Sequence, residues 1–436
     1  MTLDERQARA VLEKALRFSR ADECTVRLGG NAGGNIRFAR NTVTTAGEAR
    51  NLSLSVASSF GKRSGSSSVN ELDDAAIERA VRRAEELARL TPENPEHVPV
   101  LGPQRYTPSA AYFESTASIT PEYRADVAAA GILPARERAC TAAGFLNDRA
   151  GFSAMLNSKG LFAYHRATGA DFSLTVRTDD GTGSGYVTRD VNDITRFDAR
   201  AASAIALEKA VASRSPRAIE PGKYTVVLEP EASVELIQNM MRFDARSADE
   251  GRSWLAAPGG GTRLGQKLMD ERVTIHSDPA HPEVPASPWT GEGQPRERTM
   301  WIENGIVKNL SYDRYWAEKQ GKAPLPGPAN IIMAGGNESL EDLIRGTRRG
   351  ILVTRTWYIR TVDPQTLLYT GLTRDGTFYI EDGRIRHAVK NFRFNESPVI
   401  MLNNVDALGR PERIRGNLIP PMRIRDFTFT SLSDAI

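Results

Sequence analysis

The sequence has few of the side chains that bind transition metals or form covalent cross-links. Its 436 residues include five histidines and only two cysteines, Cys24 and Cys140. Neither cysteine belongs to a C-x-x-C pair, which excludes a zinc knuckle and a redox-active dithiol motif. Two reduced thiols are the favoured interpretation, and a disulfide between them is the alternative. The segment around Cys140 has a helical pattern and contains no histidine.

Long apolar segments and a strong charge of either sign are also missing. No stretch approaches the roughly 18 apolar residues that a membrane span requires. The N-terminal segment is an amphipathic pattern of mixed charge, without the apolar run of a signal peptide. The formal net charge is +3, so nothing in the total calls for nucleic acid or an anionic membrane as the partner. We therefore expect a cytoplasmic protein.

A local signature for Ser/His/Asp catalysis is absent as well, since no G-x-S-x-G occurs. His276 and His281 resemble a ligand pair, but Pro279 and Pro282 exclude a shared helical face, and a solvated loop is the favoured interpretation. Three carboxylates after a helical segment are either general acids or bases, or an ordinary charge cluster at a helix end: Asp244, Asp249 and Glu250.

Length and composition indicate a globular protein larger than one ordinary domain. Hydrophobic residues make up 40% of the chain and charged residues 25%, with 36 glycines and 24 prolines. A buried strand predicted at 224–228 follows Pro221-Gly222, and the pattern beyond it is mostly β. This predicts an N-terminal α/β domain at 1–220 and a β-rich C-terminal domain at 221–436. The predicted fold class is therefore α/β, in the mixed α+β sense, with two lobes.

Periodicity in the N-terminal half predicts helices separated by short strands. Two short strands are predicted around a glycine-rich turn at 29–34, and a hairpin turns at Phe60-Gly61. Amphipathic spacing predicts a helix that includes 72–87, and a second helical pattern runs over 122–145. Successive strands follow, with Gly160 at a turn.

The C-terminal half has the pattern of a largely antiparallel sheet. Asn304-Gly305 and Asp382-Gly383 each favour a two-residue hairpin turn, because both central positions need positive φ. The segment 350–360 alternates as one strand and places Trp357 and Tyr358 on opposite faces. Both aromatic side chains cannot then lie in the core, so we predict that one of them meets a partner or ligand.

Three polar, aromatic-rich segments at 354–360, 371–376 and 391–397 carry the candidate site. Guanidinium groups can clamp carboxylates or main-chain carbonyls of a peptide. Structural ion pairs at a subunit contact are an equally weighted alternative for these arginines. Asp375 and Glu396 supply countercharge and are the catalytic candidates. The predicted substrate-binding residues are Arg355, Trp357, Arg360, Arg374, Asn391, Arg393 and Asn395.

The order of motifs after residue 221 resembles the TldD/PmbA family, known as modulators of DNA gyrase and as peptidases. A strand, YTVVLEP, precedes a helix that begins near Val234; DEGRSWL, a glycine-rich stretch and the WIENG hairpin follow. Further matches are GLTRDGTFYIEDGRIRHAVKNFRFNES and PPMRIRDFTFTS. The resemblance extends from about residue 11 to 431 and implies the family's two-lobed fold.

Peptidase members of that family carry His-Glu-x-x-x-His on this helix and a C-terminal cysteine that completes a metal site. Here the three motif positions fall on Leu236, Ile237 and Met241, within about a turn. No histidine lies between residues 166 and 275, and no cysteine follows Cys140. We therefore predict no metal and no other cofactor in this chain.

The resemblance implies one function and leaves two alternatives. In the family a metal-bearing subunit can pair with a metal-free one and cleave peptides between them, so this chain is predicted to bind extended peptide in a homodimer, or in a heterodimer with a metal-bearing TldD-type subunit. The first alternative is a stand-alone hydrolase rebuilt from Arg374, Asp375, Asn395 and Glu396. The second is a module that binds nucleic acid or a topoisomerase.

Overall fold

The computed structural model describes residues 3–433, which form a mixed α+β fold with three sheets. Within that range ten α-helices are present, and a short 3-10 turn spans Ile194–Arg196. The helices are α1 (Glu5–Phe18), α2 (Asp74–Leu90), α3 (Glu114–Ala117), α4 (Pro121–Glu137), α5 (Ala199–Ala212), α6 (Pro230–Met240), α7 (Ala245–Asp249), α8 (Arg314–Lys319), α9 (Leu340–Arg345) and α10 (Pro398–Asn403).

The first sheet is antiparallel throughout and is built from residues before 192, in the order β3-β2-β1-β4-β5-β6. Helices α1 and α2 cover one part of it, and α4 and α5 cover another. Its strands are β1 (Glu23–Ala39), β2 (Thr42–Phe60), β3 (Arg63–Val69), β4 (Cys140–Asn157), β5 (Phe162–Thr178) and β6 (Ser184–Val191).

The second and third sheets are built from residues after 221 and share the largest hydrophobic core. The second has the order β10-β9-β8-β11-β20-β19; the third has the order β13-β14-β17-β21-β7-β12-β15-β16, with β18 paired to β21. Only the β11–β20 and β7–β12 pairs are parallel among the described strands. The predicted fold class, with a largely antiparallel C-terminal half, is confirmed.

The strands of these two sheets are short, apart from the last. They are β7 (Gly222–Leu228), β8 (Ile275–Ser277), β9 (Thr299–Glu303), β10 (Ile306–Val307), β11 (Ile332–Met333), β12 (Arg349–Val353), β13 (Thr356–Asp363), β14 (Leu368–Thr373), β15 (Thr377–Glu381), β16 (Arg384–Ala388), β17 (Asn391–Glu396), β18 (Val405–Leu408), β19 (Glu412–Ile414), β20 (Asn417–Ile419) and β21 (Met422–Ser433).

The predicted glycine-rich turn at 29–34 is wrong, because this segment lies inside the single strand β1. None of its glycines has positive φ. A Cβ at Gly33 would collide with the main chain at Asp148, and one at Gly34 would collide with the Arg124 guanidinium. These glycines therefore allow close approach of a neighbouring strand and a buried side chain; they do not turn the chain.

The second helical pattern also extends too far in the prediction. Helix α4 ends at Glu137, and Cys140 opens strand β4. Cys140, Ala142 and Leu146 are buried in one hydrophobic cluster with α4 and α5, which outweighs the helical propensity of an alanine-rich segment. Both cysteines are buried free thiols, and Cys24 lies in a different cluster.

Both predicted hairpin turns are confirmed, and they give a test of the fold. Asn304-Gly305 and Asp382-Gly383 have positive φ at both positions, and so does Arg415-Gly416 between β19 and β20. A Cβ at Gly305 would overlap the carbonyl oxygen of Met269, whereas at Gly416 it would meet open space.

We expect Gly416→Ala to cost about 1–2 kcal/mol of unfolding free energy, since it adds only the strain of a left-handed alanine. Gly305→Ala should cost substantially more, because the chain at Met269 must also move. Urea denaturation of both variants beside the unmodified protein measures the difference. Equal losses would contradict the close approach at Gly305.

Candidate functional site

Helix α6 begins directly after strand β7 and is packed deeply into the C-terminal core. Pro230 occupies the first helical position, where its fixed φ is favourable and no hydrogen-bonding N–H is lost. Val234, Leu236, Ile237 and Met240 have no solvent exposure. The helix therefore stabilises the fold through an apolar face, which is the usual role of such a pattern.

The donor set of α6 does not fit a metal ion. Leu236 and Ile237 are 0% exposed and Met241 is 4% exposed, so the three positions expected to carry ligands hold two hydrocarbon side chains and a thioether in the core. Zinc requires imidazole, thiolate or carboxylate ligands. Within residues 3–433, no group of three or more His, Cys, Asp or Glu side chains is arranged to hold a metal ion.

The three carboxylates that follow α6 have structural partners. The Asp244 carboxylate caps helix α7 by accepting a hydrogen bond from the Ser247 amide at 3.0 Å. Asp249 accepts from the indole N–H of Trp316 at 2.8 Å. Glu250 forms an ion pair with Arg246 at 3.1 Å. These contacts match the helix-end interpretation of the cluster.

Several of the predicted site residues lie around the link between strands β12 and β13. The segment 350–360 is not one strand, since β12 ends at Val353 and β13 begins at Thr356. Arg355 lies in the link between them, and its Nη1 contacts Oδ2 of Asp375 at 2.5 Å. Its guanidinium also lies 3.7 Å above the ring centre of Tyr186 on β6. Arg355 thus contacts both halves of the chain.

Asp375 is the buried centre of this cluster. Its side chain is 1% exposed, and its Oδ1 accepts a hydrogen bond from Oγ of Ser184 at 2.5 Å. The residue has φ of 55°, a left-handed conformation that aspartate tolerates better than most residues. Arg374 lies at 3.8 Å from the same carboxylate, and burial lowers the pKa of Arg374.

Trp357 and Tyr358 do not point to opposite faces, which corrects the prediction from strand alternation. Tyr358 has φ of 56° at an irregularity in the β13–β14 pairing, and the two rings lie 5.5 Å apart. Trp357 is 39% exposed and Tyr358 53% exposed. The Arg374 guanidinium lies 4.1 Å from the Trp357 ring, and that of Arg360 lies 4.3 Å from the Tyr358 ring. We call Trp357, Tyr358, Arg360 and Arg374 the aromatic edge.

Strand β17 separates the remaining candidates. Arg393 and Asn395 are exposed on one face, with Asn391 half-buried on the same face, whereas Glu396 is buried on the other. The Glu396 carboxylate accepts main-chain N–H groups of Ser397 and Thr428 at 3.0 and 3.2 Å. Burial raises the pKa of Glu396. Asn395 and Glu396 therefore do not face a common pocket.

A cavity of about 420 Å³ lies beside the Asp375 cluster, between the first sheet and the third. Its walls carry hydroxyl groups from the N-terminal half, including Ser184 and Ser213, together with Asp375 and Asn391 from the C-terminal half. The Asn391 amide oxygen accepts hydrogen bonds from the hydroxyls of Thr373 and Thr377. The structure thus brings Asn391 and Asp375 together and places Arg393 and Asn395 on the exposed face of β17.

Tyr186 and Ser184 are the members of this site that sequence reasoning missed. Both lie on β6, nearly two hundred residues before Asp375. The segment GSGY around them has no motif of its own, so the sequence carried no local indication of this contact.

Comparison with protein families decides the classification. Models of the PmbA/TldA metallopeptidase match in chain order: domain 1 at residues 24–88, the central domain at 115–214 and the C-terminal domain at 221–431. The chain belongs to this family, which the sequence resemblance named TldD/PmbA. A metalloprotease of Methanothermobacter thermautotrophicus is 26% identical over 61% of this chain and 62% of its own length. The Escherichia coli O157:H7 metalloprotease PmbA is 23% identical over 87% of this chain and 88% of its own length.

Solved structures of TldD/PmbA type have the same fold. TldE of Thermococcus kodakarensis superposes with a TM-score of 0.87 at 18% identity, covering 97% of this chain and 99% of that one. The sequence matches with archaeal relatives are shorter and span 49% and 62% of those proteins. None of the helices within residues 3–433 combines the length and hydropathy that crossing a membrane requires.

Proposed function

We propose that this chain is a cytoplasmic, metal-free subunit of a metallopeptidase complex, and that it binds extended peptide while a partner chain supplies the hydrolytic ion. One observation carries the proposal: the three ligand positions, two on helix α6 and one at its C-terminal cap, have only apolar side chains, inside a chain that matches all three family domains. The metalloprotease names of two relatives support a role in proteolysis. Two thiols in separate cores agree with a reducing compartment.

The aromatic edge is the proposed peptide-binding surface. Trp357, Tyr358 and Arg360 lie on β13, and Arg374 follows β14. Strand β13 is the last strand at one side of the third sheet and pairs only with β14 among the described strands. An edge strand offers free main-chain donors and acceptors to an added peptide strand. Trp357 and Tyr358 supply rigid apolar contact area beside it.

Arginine side chains give this surface a preference for peptide acceptor groups. Arg360 and Arg374 lie against the aromatic rings with their guanidinium groups near the strand. Guanidinium donates to main-chain carbonyls and to a terminal carboxylate with defined geometry. Arg355 has a different role, because its guanidinium is bound to buried Asp375 and links the two halves.

The proposed partner is a metal-bearing TldD-type subunit in a heterodimer. Metal hydrolysis needs an ion that acidifies water, and the donor set of α6 does not hold one. In a homodimer neither subunit would hold the ion, so the homodimer would bind peptide without cleaving it. Peptides or unfolded polypeptides are the proposed substrates in either assembly.

Peptide binding and cleavage can be measured on one sample. A fluorescently labelled unstructured peptide should show raised anisotropy with the purified chain in excess chelator, and mass spectrometry should find it intact. Cleavage should begin only when a metal-loaded TldD-type subunit is added. Cleavage by this chain alone in chelator would contradict the proposal.

The two alternative functions are supported less well by the geometry. A hydrolase rebuilt from Arg374, Asp375, Asn395 and Glu396 would need Asn395 and Glu396 in one pocket, yet they occupy opposite faces of β17. A nucleic-acid module would be expected to have a strongly basic surface, and the net charge is only +3. Filter binding at two salt concentrations tests the latter, since phosphate contacts give a steep salt dependence.

A further inference from the structure

A second cavity, of about 510 Å³, lies on another side of the junction between the two halves. Strand β6 and helix α5 form its N-terminal wall. The first turns of α6 and α9 and strand β19 form the C-terminal wall. The volume lies within the roughly 300–1,000 Å³ that small-ligand pockets occupy. Neither the family's ligand positions on α6 nor the aromatic edge is part of its lining.

Carboxylate and cationic side chains both line this cavity. Five glutamates line it, two of them from the segment 229–231 that begins α6. Its cations already have partners: Lys209 contacts Glu229 at 2.6 Å, and Arg413 contacts Asp190 at 2.9 Å. Arg189 and Arg410 donate to main-chain carbonyls.

Glu231 is the one carboxylate in this lining that is both buried and incompletely bonded. It is 9% exposed, and its Oε1 accepts a hydrogen bond from Nη2 of Arg415 at 2.5 Å. Its Oε2 is buried and has no hydrogen-bond partner within residues 3–433. A buried carboxylate oxygen without a donor is costly, so such an atom calls for a ligand or a water. Burial raises the pKa of Glu231 accordingly.

The surroundings of Oε2 of Glu231 determine which kind of cation it can bind. A guanidinium group binds a carboxylate best through both oxygens, and a second guanidinium here would have to share Oε1 with the like charge of Arg415. A metal ion needs several donors, and no suitable group of three occurs within the described residues. An ammonium group is compact and can donate a single N–H to one oxygen.

We infer that this cavity binds a primary ammonium group, with Oε2 of Glu231 as the acceptor. The inference deepens the proposed function and rests on it for the natural ligand, which is then a peptide bearing a free amino group. That group is either the amino terminus or a lysine side chain. The chemistry of recognition is the same for both sources.

Calorimetric titration with short probes tests the inference on the full chain. Trialanine amide carries one ammonium group, and its N-acetylated form carries none; we expect the free form to bind at least about tenfold more tightly. Nα-acetyl-lysine methylamide tests the side-chain source. Glu231-dependent binding of either ammonium probe supports the inference, and failure of both to bind overturns it.

Two variants separate recognition from folding. Glu231→Gln keeps the side-chain volume and removes the charge, so the preference for the free amine should disappear. Glu235→Gln is the matched control: this carboxylate lies 3.9 Å from the same Arg415 but does not line the cavity. The Glu235→Gln variant should keep the preference for the free amine over the acetylated probe. If the Glu231→Gln variant also keeps this preference, the inference is overturned.

A pH series on the unmodified protein gives a measurement that needs no variant. Protonated Glu231 is neutral and loses the charge that attracts an ammonium group, so affinity for trialanine amide should rise with pH as this group ionises, below the α-amino pKa of about 8. The charged and titratable groups facing Glu231 are Arg415, Arg355, Glu235 and Tyr186. An affinity independent of pH would overturn the inference.

These probes also distinguish the inference from the proposed function. A tripeptide is too short to pair along the eight residues of β13. Tight binding of a long peptide without discrimination of the amine would remove the inference and leave the function. If the chain distinguishes the free amine from the acetylated probe but binds no long peptide, the proposed function is removed and the inference about the ammonium group remains.

Discussion

Replacing Asp375 by alanine is expected to lower the free energy of unfolding by about 3–5 kcal/mol, the usual cost of removing one partner of a buried ion pair. Asp375 is 1% exposed, while Arg355 retains 18% exposure and would keep its charge without the carboxylate. The hydroxyl of Ser184 would lose its acceptor in the same change. Because that bond joins β6 to the third sheet, the loss weakens the contact between the two halves.

The matched control is Asp375→Asn. Asparagine also tolerates the left-handed conformation at this position and retains one oxygen as an acceptor for a hydrogen bond. We therefore expect a smaller loss than for alanine. Chemical denaturation followed by tryptophan fluorescence measures both changes. If the alanine variant unfolds at the same denaturant concentration as the unmodified protein, the Asp375 cluster does not hold the halves together.

Replacing Trp357 by alanine is expected to weaken binding of an extended peptide by about thirtyfold, the effect of removing an aromatic hot spot worth about 2 kcal/mol. The side chain is 39% exposed and lies outside the hydrophobic core clusters, so thermal stability should change little. Anisotropy titration with the labelled unstructured peptide measures the affinity.

Ile385→Ala is the control for loss of exposed apolar area. Ile385 is 45% exposed and lies on β16, the edge strand at the opposite side of the same sheet. Its removal should leave peptide affinity unchanged. Equal affinities of the Trp357 variant and the unmodified protein would show that the peptide binds elsewhere.

Local turn chemistry was the most reliable guide from sequence to structure. Asn304-Gly305 and Asp382-Gly383 adopt the predicted positive φ angles because few other conformations close a two-residue hairpin. A glycine outside such a dipeptide did not by itself indicate whether the chain turns or continues as a strand. A neighbour approaches closely at Gly305 and at Gly33 and Gly34, but only Gly305 has positive φ and turns the chain, whereas Gly33 and Gly34 lie in the middle of β1.

The candidate site was predictable only where it depends on residues close together in sequence. The spacing of arginines and aromatics located Arg355, Trp357, Arg374 and Asp375, and the structure brings these four together. Strand alternation gave the wrong faces for Trp357 and Tyr358, because one residue with positive φ reverses the alternation. The contacts of Ser184 and Tyr186 on β6 depend on how the N-terminal and C-terminal halves pack against each other. A local sequence pattern carries no information about that packing.

Elemental analysis of the untagged, purified chain tests the absence of a catalytic metal site most directly. An affinity tag rich in histidine would itself bind metal, so the tag must be removed first. We predict far less than one equivalent of transition metal per chain after gel filtration, with a metal-bearing TldD-type protein retaining its ion under the same treatment. One equivalent of zinc retained by this chain would contradict the proposal that its α6 helix cannot hold the hydrolytic ion.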